Sequence, residues 1–187
     1  MVDELGRRVP NRIYTIGHSS RDFDEMLAML RANDVTCLVD VRRFPSSRKF
    51  PQWNQSAIIE ALPASIEYRW LEKLGGRRHT PQGVPSVNEA WQVKAFRDYA
   101  DYMQGDEFKD GLNQLLELAE NGRAAIMCSE AMPWRCHRRL ITDALIVAGA
   151  QVSHIMSATT VKPAVLDKHA HVEGGQLSYP PEGLTPT

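Results

Sequence analysis

The chain has 187 residues, 43% of them hydrophobic and 24% charged, a composition that suits one folded globular domain with a sizeable core. With 22 Lys and Arg against 23 Asp and Glu the net charge is -1, which excludes a global attraction to nucleic acid or an anionic membrane and makes any anion site a local feature. There is no apolar run near the roughly 20 residues that cross a bilayer, the N-terminal MVDELGRRVPNR has no signal-like apolar stretch, and 3 cysteines give no disulfide framework, so the expectation is a cytoplasmic protein with reduced thiols and no membrane partner.

In chain order, Arg12–Ile16 (RIYTI) reads as a first strand running into Gly17-His18-Ser19-Ser20, small and polar residues suited to a turn. Ser20 or Asp22 is placed to cap a helix in which Phe23, Met26, Leu27 and Leu30 recur at helical spacing. Cys37–Val41 predicts a second strand, apolar except for Asp40, as in a parallel sheet covered on both faces. After a basic loop from Arg42 to Pro51, Asn54–Leu62 predicts a helix, and Ile66–Trp70 a third strand leading to Leu74-Gly75-Gly76-Arg77-Arg78. Trp91–Met103 and Phe108–Asn121 predict two helices separated by Gly105, the second ended by Asn121-Gly122. Ala124–Cys128 predicts a fourth strand, Arg135–Ala148 a helix and Val152–Met156 a last strand. Beyond Thr160 a closing tail, 161–179, is expected to lie against the core of 12–160 through Val165, Leu166, Val172, Leu177 and Tyr179. That placement would bring His169 or His171 near the strand ends, with fraying from Pro180 onward.

Strands alternating with helices indicate a three-layer α/β domain with a mainly parallel β-sheet flanked by helices. Function in such folds lies beyond the carboxyl ends of the strands, and the unusual polar residues of this sequence fall there. The densest group follows the fourth strand: Cys128-Ser129-Glu130, then Trp134-Arg135-Cys136-His137-Arg138-Arg139. A thiol at a strand end before a helix start rich in Arg and His meets the conditions that favour a thiolate nucleophile. The layout is similar to that of cysteine phosphatases and rhodaneses, yet Trp134 rather than Arg stands six residues after Cys128 and the loop lacks glycine. Structural roles compete with each chemical one. Cys128 also suits a packed strand end, Cys136 the core face shared with Leu140 and Ala144, Glu130 a helix N-terminus and Trp134 a cover on the core edge.

Arg42, Arg43 and Arg48, then Arg77 and Arg78, then Arg135, Arg138 and Arg139 all flank predicted strand ends. Their planar forks suit phosphate or carboxylate, and Phe44, Trp53 and Trp134 between them suit stacking on a base or ring. No nucleotide-cofactor motif is present, so the sequence names no cofactor. A metal held by Cys128, Cys136, His137 and His18 is an alternative without a C-x-x-C or H-x-x-x-H pair behind it.

Thr15-Ile16-Gly17-His18-Ser19, Val39-Asp40-Val41-Arg42, Leu74-Gly75-Gly76-Arg77-Arg78, Phe96–Met103, Met127-Cys128-Ser129-Glu130 and Pro133–Arg138 together resemble the prokaryotic family catalogued as domain of unknown function 488. The resemblance runs from about Ile13 to Tyr179 and includes His169-Ala170-His171-Val172 and Tyr179-Pro180 in the tail. Ser129 stands where alanine is common, and His171 near the place of a usual arginine. The family name implies no reaction.

The resulting expectation is a small enzyme whose anionic substrate, a nucleotide, a nucleic-acid end or another phosphorylated molecule, is held by Arg42, Arg77, Arg78, Arg135 and Arg138 beside Trp134. Cys128 or Glu130 performs the covalent or acid–base step, His18 and His137 carry protons, and Asp40 orients Arg42. The alternatives are a non-catalytic module that binds nucleic acid or a partner through the same rim, and a Cys/His metal or redox protein.

Overall fold

The structure is a computed structural model that describes residues 12–181 and residue 183. The strands β1 (Arg12–Gly17), β2 (Cys37–Asp40), β3 (Glu67–Trp70), β4 (Ala124–Cys128), β5 (Gln151–Ile155) and β6 (Val161–Pro163) form one sheet in the order β3-β2-β4-β1-β5-β6. All pairs are parallel except β5–β6. Strand β4 thus lies between β1 and β2, and the register Gly17↔Cys128 and Asp40↔Met127 brings three strand ends to one edge.

Alternation along the buried strands assigns the two faces. Tyr14, Ile16, Leu38, Ala125 and Met127 pack with Met26, Met29 and Leu30 of α1 (Phe23–Arg31) and Ile58 of α2 (Gln55–Ala61). Ile13, Val39, Ala124, Ile126 and Cys128 pack with Tyr99 of α3 (Lys94–Tyr102), Leu115 of α4 (Asp106–Asn121) and Leu140 of α5 (Arg138–Val147). The result is a three-layer α/β domain with a mainly parallel sheet. Among the described residues no helix is long and apolar enough to cross a membrane.

Local chemistry explains most boundaries. Asp22 caps α1, its carboxylate accepting from the Glu25 N–H at 2.7 Å, and Asp106 and Glu107 open α4 where the helix dipole favours acids. Two expected helices begin later than their apolar periodicity suggests. The helix expected from Trp91 starts at Lys94, because Trp91 closes a turn by donating to the Asn88 carbonyl at 3.1 Å. The helix expected from Arg135 starts at Arg138, because Pro133–Arg135 forms a 3₁₀ turn and Cys136 is extended (φ -132°, ψ 151°). Cys136 therefore precedes α5, while its side chain still packs in the buried cluster that holds Leu140 and Ala144.

The tail residues beyond β6 form the hairpin β7 (His171–Glu173) and β8 (Gln176–Ser178), and Leu177 and fully buried Tyr179 pack into the α3–α5 side of the core. The anchors expected at Val165 and Val172 are 80% and 43% exposed. Neither His169 nor His171 reaches the strand ends: His169 pairs with Asp167 beside Trp91, and His171 lies 3.9 Å from Glu173. The fraying expected from Pro180 falls largely on residues outside the described ones.

Candidate functional site

At the carboxyl ends of β1, β2 and β4 the backbone itself is tightly packed. A Cβ on Gly17 would lie 1.9 Å from the Glu130 carbonyl oxygen, so only glycine lets the 128–131 loop cross the end of β1. That crossing is tied by the His18 and Ser19 N–H groups, which donate to the Cys128 and Ser129 carbonyls at 3.0 and 2.8 Å. Ser19 and Arg77, both on the cleft lining, hold left-handed φ values of 48° and 56°. Such backbone conformations cost about 1–3 kcal/mol each and persist only where the surroundings enforce them.

The walls enclose a cleft of about 900 Å³ lined by His18, Arg42, Arg77, Cys128, Glu130, Arg135 and His137 of the expected residues, together with Arg43, Lys49, Tyr99 and Cys136. Four expected residues do not line it. Asp40 is fully buried behind Arg42, accepting from its Nε at 2.9 Å, from its terminal nitrogen at 2.5 Å and from the Tyr68 hydroxyl at 2.8 Å. Arg78 is buried by donation to the Gly75 and Glu72 carbonyls at 2.9 and 2.7 Å and by stacking 4.1 Å from the Tyr102 ring. Arg138 is buried under the 128–131 loop and donates to the Glu130 carbonyl, so it braces the loop from below. Trp134 is half-exposed outside the cleft. The expected convergence of Arg42, Arg77 and Arg138 on one anion thus does not extend to Arg138, which is buried off the cleft lining with a terminal nitrogen bonded to a loop carbonyl.

His18 occupies the back wall, stacked on Trp53 at 4.6 Å. Its Nδ1–H donates to the Ser19 carbonyl at 3.0 Å, leaving Nε2 as the acceptor 3.4 Å from an Arg42 nitrogen. Burial, with the Arg42 charge adding to it, lowers the His18 pKa to about 4, so the ring is neutral at pH 7. A neutral imidazole facing a guanidinium is a positioning contact more than a proton carrier.

The floor is sulfur and imidazole. His137 donates Nε2–H to the Val41 carbonyl at 2.9 Å, which leaves its Nδ1 lone pair facing Cys136 Sγ at 3.5 Å and Cys128 Sγ at 4.0 Å. The Tyr99 ring holds the imidazole edge-on at 5.0 Å, while a Cβ on Gly76 would come within 2.9 Å of Nδ1. The two thiols share a proton unequally. Interaction with Cys136 and burial push Cys128 up to about 12, whereas Cys136, buried as deeply, is drawn down to about 6 by Cys128 and by Arg138. The low thiol pKa expected at Cys128 falls instead on Cys136, through its interaction with Cys128 and because Arg138, two residues further on, supplies it with a charge and a backbone donor.

The cations on the rim remain available. Among the described residues Arg77, Arg135 and Lys49 enter no ion pair, and Arg43 stands 3.8 Å from Glu72 in a long one. Glu130, exposed at the mouth, is an acid on the same lining. Cys136 and Lys49 carry weight that the sequence reading placed elsewhere, and Arg43, counted there among the strand-end arginines, joins the lining. The available signal for Cys136 was Pro133, which restarts the backbone three residues ahead of it.

The model of the family described as "Domain of unknown function DUF488" matches residues 22–145, which takes in α1 to most of α5 and every cleft residue named above except His18 and Ser19. No curated protein and no solved structure matches the chain. Since the match spans more than half of its length, the chain belongs to the family of domain of unknown function DUF488.

Proposed function

We propose that the protein is an enzyme that binds an anionic substrate, a nucleotide, a nucleic-acid end or another phosphorylated molecule, in the cleft at the strand ends and acts on it at the sulfur–imidazole floor. The observation that carries this reading is the pairing of Arg77, Arg135 and Lys49, free of carboxylate partners among the described residues, with a thiolate-favouring Cys136 in the same cleft. Guanidinium groups without internal partners keep their forks for a planar or tetrahedral oxyanion. Phe44, 60% exposed on the cleft lining with the Arg43 guanidinium 5.8 Å from its ring, favours a substrate that carries a ring as well as a charge.

In this reading Cys136 is the reactive thiolate, His137 Nδ1 takes up or returns its proton, and Cys128 shares that proton from the strand end. Glu130 at the mouth serves as the second acid–base group. Arg42, locked by Asp40 and the Trp53 carbonyl, fixes the wall against which the substrate rests.

Mass spectrometry of small molecules retained by gently purified protein identifies the substrate class. Melting then tests the site: phosphate or the retained nucleotide at about 100 Kd raises stability by about 2.7 kcal/mol, and matched chloride does not. Glu130→Gln and Cys136→Ser leave the fold near intact and reduce binding or turnover at least tenfold. Binding that falls log-linearly with salt over many contacts marks the alternative, a module for long nucleic acid. No stabilisation by any phosphorylated ligand ends the proposal.

A further inference from the structure

We propose that Cys128, Cys136 and His137 constitute a metal site for a borderline-soft divalent ion of the zinc class at the floor of the cleft. Their donor atoms all lie within 4.8 Å of one another, the one such Cys/His/acidic trio found among the described residues. Around tetrahedral zinc, with Zn–S about 2.3 Å and Zn–N about 2.0–2.1 Å, ligand edges are about 3.6 Å for S···N and about 3.8 Å for S···S. The sulfurs stand 3.5 and 4.0 Å from His137 Nδ1, so an ion fits between them after shifts of a few tenths of an ångström on those edges.

Two features of the surroundings point the same way. The imidazole is oriented from behind by its Nε2–H bond to the Val41 carbonyl at 2.9 Å, the outer contact that metal-bound histidines usually make, which fixes the tautomer with a bare Nδ1. The side-chain partners of that lone pair are the two sulfurs, and a thiol S–H is a weak donor, so this half-buried acceptor at the cleft floor is poorly served by the protein itself. The donor set is Cys₂His, which suits zinc better than magnesium or calcium, whose ligands are oxygens. His18, the fourth ligand considered from sequence, is directed at Arg42 and lies outside the trio.

Three protein ligands leave a fourth tetrahedral position, and because Cys128, Cys136 and His137 all line the cleft, that position opens on it. This deepens the proposed function, and it rests on that reading only for the anion: an oxyanion held by Arg77 and Arg135 would share the floor with the ion or with a water bound to it.

The test uses the reduced, metal-stripped full chain titrated with Co²⁺ and then Zn²⁺. The expected result is one Co²⁺ per chain, with thiolate-to-cobalt charge transfer and the intense visible bands of a tetrahedral site, displaced by Zn²⁺. Cys128→Ser and Cys136→Ser each weaken binding at least tenfold. As a check that needs no variant, Zn²⁺ protects Cys128 and Cys136 of the unaltered chain from alkylation, read by peptide mass. Cobalt without a thiolate band, binding that survives in both serine variants, or unchanged labelling of both cysteines overturns the site. Phosphate-induced stabilisation is measured in parallel: if it persists where cobalt binding fails, only the metal site falls, and if cobalt binds where phosphate does not, only the anion reading falls.

Discussion

Two polar clusters flank α5, one buried and one lining the cleft, and they differ in whether their bonds close. On the tail side, the Tyr179 hydroxyl donates to Asp143 at 2.8 Å, its N–H donates to the Asn88 side chain at 3.0 Å, and its carbonyl accepts from the Ala90 N–H at 3.1 Å. Asn88 in turn donates to Asp101 at 2.8 Å, and Asp101 also accepts from Ser86 and Thr80 at 2.5 and 2.8 Å. At the cleft floor, by contrast, His137 Nδ1 faces two thiols, and the rim cations Arg77 and Arg135 have no carboxylate partner among the described residues. A network that satisfies itself specifies structure, whereas one that keeps donors, acceptors and charge in reserve is suited to a ligand.

The comparison breaks most visibly at Tyr179. Tyr179→Ala removes a fully buried ring and all of its hydroxyl bonding, and is expected to cost about 3–5 kcal/mol in urea or thermal unfolding; a cost below 1 kcal/mol would show that the tail cluster is not structural. Acid is the next largest perturbation. The folded-state pKa of His18 lies near 4, below its ordinary 6.5, so the unfolded chain binds the extra proton first and stability falls as pH drops from about 6.5 to 4. Integrated over that window the loss is about 3 kcal/mol at most for His18. His154, lowered to about 4 chiefly by burial, adds in the same direction. Asp143, raised to about 6 chiefly by burial, opposes both. Replacing His18 with Gln should flatten the measured acid limb; an unchanged limb would place the acid sensitivity elsewhere.

Arg77→Ala combined with Arg135→Ala sharpens the other side. Stability should stay within about 0.5 kcal/mol, since both side chains are exposed, while phosphate or nucleotide binding weakens at least tenfold, about 1.4 kcal/mol or more. Equal losses in melting and in calorimetric binding would erase the distinction between the clusters. The smallest expected effect is on thiol chemistry. Metal-free protein should alkylate at Cys136 with a midpoint near pH 6 while Cys128 stays slow, and Cys136→Ser should remove that phase. A single midpoint near 9 would return Cys136 to an ordinary buried thiol.

Much of this architecture was legible along the chain because buried strands and amphipathic helices leave strong periodic signals. CLVDV and AAIMC are short apolar runs that only a doubly covered parallel sheet accommodates, and FDEMLAML repeats at helical spacing. The motifs TIGHS, VDVR and CSE end three of these strands and meet at one edge of the sheet. The three-residue strands of the tail were not legible, being too short for a period, and Val165 and Val172 misled because an apolar side chain near a chain end need not be buried.

What the sequence by itself determined is therefore the layer order of the fold, membership of its family and the strand ends where polar residues gather, since each depends on local pattern. Tertiary structure alone decided which of those residues face a ligand. Arg78 and Arg138 look no different from Arg77 and Arg135 in the sequence, yet the first pair is buried and donates terminal nitrogens to backbone carbonyls of neighbouring loops. Cys136, whose spacing fits a helix face, is turned onto the cleft floor by the break after Pro133. The physical reason is that a hydrogen-bond donor or a lone pair is free or engaged according to what lies within about 3 Å of it, and neighbours at that range come from distant parts of the chain.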